Sequence, residues 1–219
     1  FEAADIYERA NGERYKEIEF ALPNELPFEA QKEIVENFIR RELPNHYYAY
    51  AMHDKIGQMS DGTHNVHVHI MFTTRENDEY EKRIGRDAKT FFSRANSKYP
   101  EKGGCPKAKR WNAKDRDLIL RNEIRPVAAE TINEMLARYG FESRVSEKSL
   151  RVRKAQAEKN GDIVLAEILN RNPEEHLDLK IVLRDDENVN EIKQFRQFKK
   201  ALAKDAYAAE LMRNIWSEE

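Results

Sequence analysis

Three histidines carry the first chemical signal in this chain: His53, His67 and His69. His67 and His69 sit two apart in Val66-His67-Val68-His69-Ile70-Met71-Phe72, a run that reads as a strand, so their rings project from one face. A neighbouring strand over His46–His53 can set His53 beside them, because facing residues on paired strands are about 5 Å apart. Imidazole nitrogens grouped in this way suit a divalent transition ion and leave positions open for oxygen ligands. A lone histidine is usually a surface or hydrogen-bonded core residue, and His46 and His176 are read so; His64 is ambiguous. An alternating His-Val-His in an apolar strand is harder to assign to packing, since two polar rings on one face need partners.

Glu17 and Glu19 form a second pair, on one face of the alternating strand 15–22. They read either as a solvent-facing edge or as carboxylates near a cation or an imidazole N–H. The single cysteine, Cys105, excludes an intrachain disulfide and a thiolate metal cage, and fits a reducing cytoplasm. There is no phosphate-binding Gly-Lys-Ser/Thr loop, no Gly-x-Ser-x-Gly elbow and no dinucleotide fingerprint.

The elements that must hold these residues can be read from the hydropathy pattern. Residues 3–10 suggest a short helix closed by Asn11-Gly12. An amphipathic helix is predicted over 27–43 from Phe28, Ile34, Phe38 and Ile39. Gly57 and Asp61-Gly62 mark the turn between the two histidine-bearing strands, which suggests a long-looped hairpin. Residues 113–139 read as helical with Gly140 just past the end, and Pro126 either kinks that helix or begins a second one. From about residue 146 the pattern becomes short helices broken at Asn160-Gly161 and Asn172-Pro173, then a long helix over 188–216. The expected fold is α+β: an antiparallel sheet bearing the site on one face, helices on the other, and an all-α C-terminal appendage. The expected domains are 1–150 and 151–219.

With 36% charged residues in 219, no run approaches the apolar length of a membrane span, and no membrane insertion is expected. The net charge of −2 conceals a local excess. Between Lys82 and Lys114 lie eleven Lys/Arg against two acids. Tyr99, Trp111, Phe91 and Phe92 fall within this stretch, mixing phosphate-seeking cations with rings on which unstacked bases could lie. The opposing view is a solvated loop. Pro100–Gly104 reads as a flexible turn. Arg75, Lys82, Arg83, Arg86, Lys102, Lys107, Lys109, Arg110 and Trp111 are the candidate DNA-binding residues.

Several separated motifs then coincide in order. Ala3-Ala4-Asp5-Ile6-Tyr7-Glu8-Arg9-Ala10-Asn11-Gly12, Lys16–Pro23, Met52-His53, Asn65–His69, Pro100–Gly104 and Arg138-Tyr139-Gly140 resemble the MobA/MobL relaxases of plasmid mobilisation, within the HUH endonucleases. The resemblance covers roughly residues 3 to 150. It implies a DNA relaxase that nicks and religates one strand at a plasmid origin of transfer through a 5′-phosphotyrosyl intermediate. It assigns His53, His67 and His69 to a divalent metal, Mn²⁺ or Mg²⁺, which polarises the scissile phosphate, with Glu17 and Glu19 as supporting catalytic groups. The implied partners are single-stranded oriT DNA, a type IV secretion coupling protein and accessory DNA-binding proteins. In two places the sequence departs from the pattern. No tyrosine here matches the family's nucleophile, which is expected to precede Phe1, and Val66 replaces a common proline. Two other classes compete: a three-histidine metallohydrolase of a small substrate, and a non-catalytic DNA-binding module on the same fold.

Overall fold

The computed structural model describes residues 1–56, 64–112, 114 and 116–170. They divide into a first unit, Phe1–Lys55 with His64–Glu147, and a second that resumes at Lys148. The first unit is built on a three-stranded antiparallel sheet of order β1-β3-β2, with β1 at Lys16–Ala21, β2 at Tyr48–Ile56 and β3 at His64–Phe72. Helix α1 (Glu2–Tyr7) precedes β1, and α2 (Phe28–Glu42) joins β1 to β2. The charge alternation of 15–22 becomes an alternation of exposure in β1: Glu17 and Glu19 are exposed, and Ile18 and Phe20 turn inward.

The same period of two divides β3. Val66, Val68, Ile70 and Phe72 are buried in the core, which leaves the odd-numbered positions for the other face. Against the even face pack Ile34, Val35 and Phe38 of α2, and Ile132, Met135 and Leu136 of α6 (Arg125–Arg138). Each fully buried side chain of this size contributes about 1.5–3 kcal/mol of apolar transfer energy. Helices therefore cover one face of the sheet, as the pattern predicted.

Three local departures have physical causes. Helix α1 stops at Tyr7 instead of reaching residue 10, because Glu8 turns to extended backbone and buries its carboxylate against Arg75. The helix expected over 113–139 is α5 (Arg116–Ile119), a π-helical turn (Leu120–Ile124) and α6 in succession. Pro126 has no N–H to donate and its ring would crowd the carbonyl of Asn122, so the preceding turn widens. At the far end Gly140 takes φ +78, and Phe141 and Gly140 donate to the carbonyls of Leu136 and Ala137.

The basic stretch contains two short helices, α3 (Glu79–Arg83) and α4 (Ala88–Phe91), each capped by an aspartate. Asp78 accepts from the N–H of Glu81 and Asp87 from that of Thr90. The described part of the second unit is helical: α7 (Leu150–Lys159), capped by Ser149, and α8 (Ile163–Leu169), capped by Asp162, with Gly161 between them. The long helix predicted over 188–216, and His176, lie outside the described residues. No described helix is long and apolar enough to cross a membrane.

Candidate metal centre

Because the even residues of β3 are committed to the core, His67 and His69 share the opposite face. On β2, Tyr50 and Met52 pack toward the core, and His53, one residue out of phase, joins the two. The three rings form a triangle with centroids 5.3 Å (His53–His67), 4.9 Å (His53–His69) and 5.1 Å (His67–His69) apart. One ring nitrogen from each lies within 4.8 Å of the other two. His67 is buried, and His53 and His69 are half-buried.

Hydrogen bonds set the tautomers of two rings. The Nδ1–H of His67 donates to the carbonyl of Asn65 at 2.7 Å, and that of His69 to Oε1 of Glu17 at 2.5 Å. Each therefore keeps its Nε2 lone pair for a ligand, the arrangement by which outer carboxylates and carbonyls orient metal-binding imidazoles. Bonds near 2.1 Å hold two nitrogens roughly 3–4 Å apart on one ion. The trio must therefore draw in by about an ångström, within reach of side-chain rotation. The donor set fits a divalent transition ion.

Glu17 reaches His69 diagonally. In the β1–β3 register Glu19 faces His69 and Glu17 faces Met71. Of the two predicted carboxylates only Glu17 bonds to a histidine; Glu19 is exposed on the same face. Ala49 and Ala51, exposed and in phase with His53, place nothing larger than a methyl on the preceding side of it along β2. His64 begins β3 and meets Asp54 Oδ1 at 2.6 Å, in phase with the core-facing residues instead of the trio.

The cations assigned to DNA divide sharply. Arg75 is buried: it donates to both Glu8 oxygens and to the carbonyls of Phe92, Ser93 and Cys105. Arg86 is equally internal, bonded to Asp78, Glu81, Pro100 O and Gly103 O. Trp111 is buried between Phe72 and His46, and its Nε1–H donates to His46 Nε2 at 3.1 Å. These three are therefore corrected from DNA contacts to internal groups: with their donors spent on buried acceptors, none can reach a phosphate or a base. Phe91 and Phe92 are likewise core residues. Arg110 pairs with Glu42 and Glu123, and Lys107 with Glu8, which leaves them partly accessible. Among the described residues Lys82 pairs only with Glu79, and Lys82, Arg83, Lys102 and Lys109 are exposed.

Gly103-Gly104, expected as a flexible turn, is buried and tightly packed. A Cβ on Gly104 would stand 2.4 Å from the carbonyl oxygen of Ser93, and one on Gly103 2.5 Å from the Asn96 nitrogen. The sequence reading also missed the buried pairing of Glu8 with Arg75 and the part-buried pairing of Asp78 with Arg86. The spacing Asp78-x-x-Glu81 was a cap signal that could have located α3.

The site can be set beside known proteins. The chain is 36% identical over 155 residues to mobilization protein A of Escherichia coli, an alignment covering 68% of this chain and 20% of that protein. It is 37% identical over 155 residues to the 43 kDa relaxation protein of Salmonella typhimurium, covering 69% and 40%. The chain thus spans well under half the length of either relative. Among solved structures, a chain from "Molecular Basis of Vancomycin Resistance Transfer in Staphylococcus aureus" aligns with TM-score 0.45 at 23% identity, over 67% of this chain and 63% of that one. The MobA/MobL family model matches residues 2–163, a stretch that includes β1, the three histidines and both internal arginines, and the chain belongs to that family.

Proposed function

We propose that this chain is the metal-binding part of a DNA relaxase, acting within roughly its first 150 residues on single-stranded DNA at a plasmid origin of transfer. The observation that carries the reading is the histidine trio, with two of its rings held in the Nε2-ligating tautomer by Asn65 and Glu17. His53, His67 and His69 would hold a divalent ion, Mn²⁺ or Mg²⁺. When bound, such an ion supplies Lewis-acid stabilisation of the charge that builds on a phosphate under attack.

The chain's own residues do the rest. Glu17 and Asn65 keep the Nδ1 protons of two rings, so those rings cannot turn away from the shared centre. Ala49 and Ala51 leave the sheet face low on the preceding side of His53, so a sugar–phosphate backbone can lie against it there. The exposed cations of 82–109 attract that backbone from solution. In the proposed reaction a tyrosine oxygen bonds to phosphorus as the bond to the 3′ oxygen breaks, leaving a 5′-phosphotyrosyl link and a 3′ hydroxyl. That tyrosine is proposed to precede Phe1. Tyr50 is in phase with the core side of β2, and its hydroxyl donates to Glu36 at 3.3 Å.

The test uses the full-length parent protein and a labelled single-stranded oligonucleotide carrying its cognate origin. A denaturation-resistant protein–DNA adduct that forms with Mn²⁺ or Mg²⁺ and is abolished by chelator is the expected result. Metal uptake without any adduct would overturn the relaxase reading.

A further inference from the structure

Residues 92–105 form a doubled-back loop anchored from beneath by the two internal guanidiniums. Arg75 donates to the carbonyls of Phe92, Ser93 and Cys105 at 2.6, 2.9 and 2.6 Å, and Arg86 to those of Pro100 and Gly103 at 2.8 and 2.9 Å. The Gly104 N–H donates to Arg94 O at 3.2 Å, and the glycine pair lets the two limbs touch main chain to main chain. Asn96 Oδ1 accepts from the N–H groups of Lys98 and Tyr99 at 3.1 and 3.0 Å, which sets the direction of the next ring.

That ring, Tyr99, is 44% exposed. The Nζ of Lys98 lies 5.4 Å from its centroid and that of Lys102 4.9 Å. Arg94, Lys98 and Lys102 are exposed and make no ion pair with a described carboxylate. Unlike Arg75 and Arg86, they are not used by the fold.

An aromatic face between exposed ammonium groups on an anchored loop matches an unpaired nucleotide. The base stacks on the ring, and the displaced ammonium moves to the adjoining phosphate, so each charge stays engaged. An acidic peptide would occupy the cations and gain nothing from the ring, while a duplex offers no free base face. We propose that Tyr99, with Lys98, Lys102 and Arg94, is a base-stacking site for single-stranded nucleic acid, outside the histidine trio; this rests on the reading of the chain as one that handles single-stranded DNA.

The experiment measures anisotropy of a labelled twelve-nucleotide oligo-dT and of a duplex of equal length on the 219-residue chain, in chelator. Tyr99→Ala should weaken single-strand binding about tenfold, while Tyr99→Phe stays within about twofold. Lys98→Gln with Lys102→Gln should reduce the slope of log affinity against log salt by about 1.4. A 5-iodouracil oligonucleotide should crosslink to the peptide containing Tyr99. Wild-type single-strand binding that Tyr99→Ala leaves intact, or crosslinks mapping only elsewhere, would overturn the stacking site and leave the metal reading untouched. A chain that takes up Mn²⁺ but prefers duplex or binds no DNA would overturn both the site and the single-strand reading beneath it.

Discussion

Replacing Arg75 by methionine separates two assignments that a basic residue invites. If Arg75 met DNA, the variant would be as stable as its parent, within about 0.5 kcal/mol, and weaker on DNA. The structure requires the reverse. Arg75 and Glu8 have side chains 5% and 1% exposed, joined by bonds of 2.9 and 3.2 Å. Methionine fills much of the space but leaves Glu8, among the described residues, with the Arg9 N–H at 3.1 Å, the exposed Arg9 guanidinium at 3.9 Å and Lys107 at 3.6 Å, and strips three carbonyls of their donor. Breaking one side of a buried pair costs about 3–5 kcal/mol. At about 2–4 °C per kcal/mol for a chain of this size, Tm should fall by about 6 °C or more. Urea unfolding with an unchanged slope reads the loss directly. Glu8→Gln in the same chain removes the stranded charge, so the double variant should cost less than the two singles together, by about 2 kcal/mol. Burial opposes ionisation of Glu8, but the hydrogen bonds and charges of Arg75, Arg9 and Lys107 outweigh it and hold its carboxyl below the usual range. The contribution is thus complete above pH 4.5 and is lost as acid takes the pH through the lowered value; the variant should lack this acid-labile component. An Arg75→Met chain with wild-type stability and weakened DNA binding would refute the internal frame.

Other substitutions probe the rest of the molecule. Glu17→Gln removes the carboxylate that holds His69, and Mn²⁺ affinity by calorimetric titration should fall about 10- to 100-fold; His67→Ala should abolish uptake, and unchanged binding in either would exclude that residue from the centre. His46 is desolvated, and although its bonds to the chain oppose the shift, its pKa lies below the ordinary 6.5. Stability should therefore decline as pH falls below about 6.5, where the unfolded ring takes up a proton first. Trp111 emission, read with Trp216 replaced by Phe, should follow the transition, and a His46→Gln variant with the same pH slope would contradict this. Gly104→Ala forces a methyl against three carbonyl oxygens, and should cost about 1–3 kcal/mol in thermal or urea unfolding.

What could be read in advance followed the periodicity. Glu17-Ile18-Glu19-Phe20 and His67-Val68-His69-Ile70 each state which side of a strand is wet, so sheet, core face and histidine grouping were legible from residue order alone. The bonds that finish the site were not. Glu17 reaches His69 diagonally, and that depends on the β1–β3 register, which no local pattern encodes. Arg75, Arg86 and Trp111 failed as DNA contacts for a related reason. Composition counts charges and rings but does not tell which have partners distant in sequence, and Glu8 lies 67 residues from Arg75. The π turn was half legible, since Pro126 demanded some distortion without specifying its form.

The anchoring of loop 92–105 by two interior arginines also bears on how the protein can change. Since the loop's shape is stored beneath it, Arg94, Lys98, Tyr99 and Lys102 are free to vary like letters on a fixed page. Diversifying those four positions, with the guanidiniums and the glycine pair held constant, gives a library whose members share one backbone and differ only in what they grip.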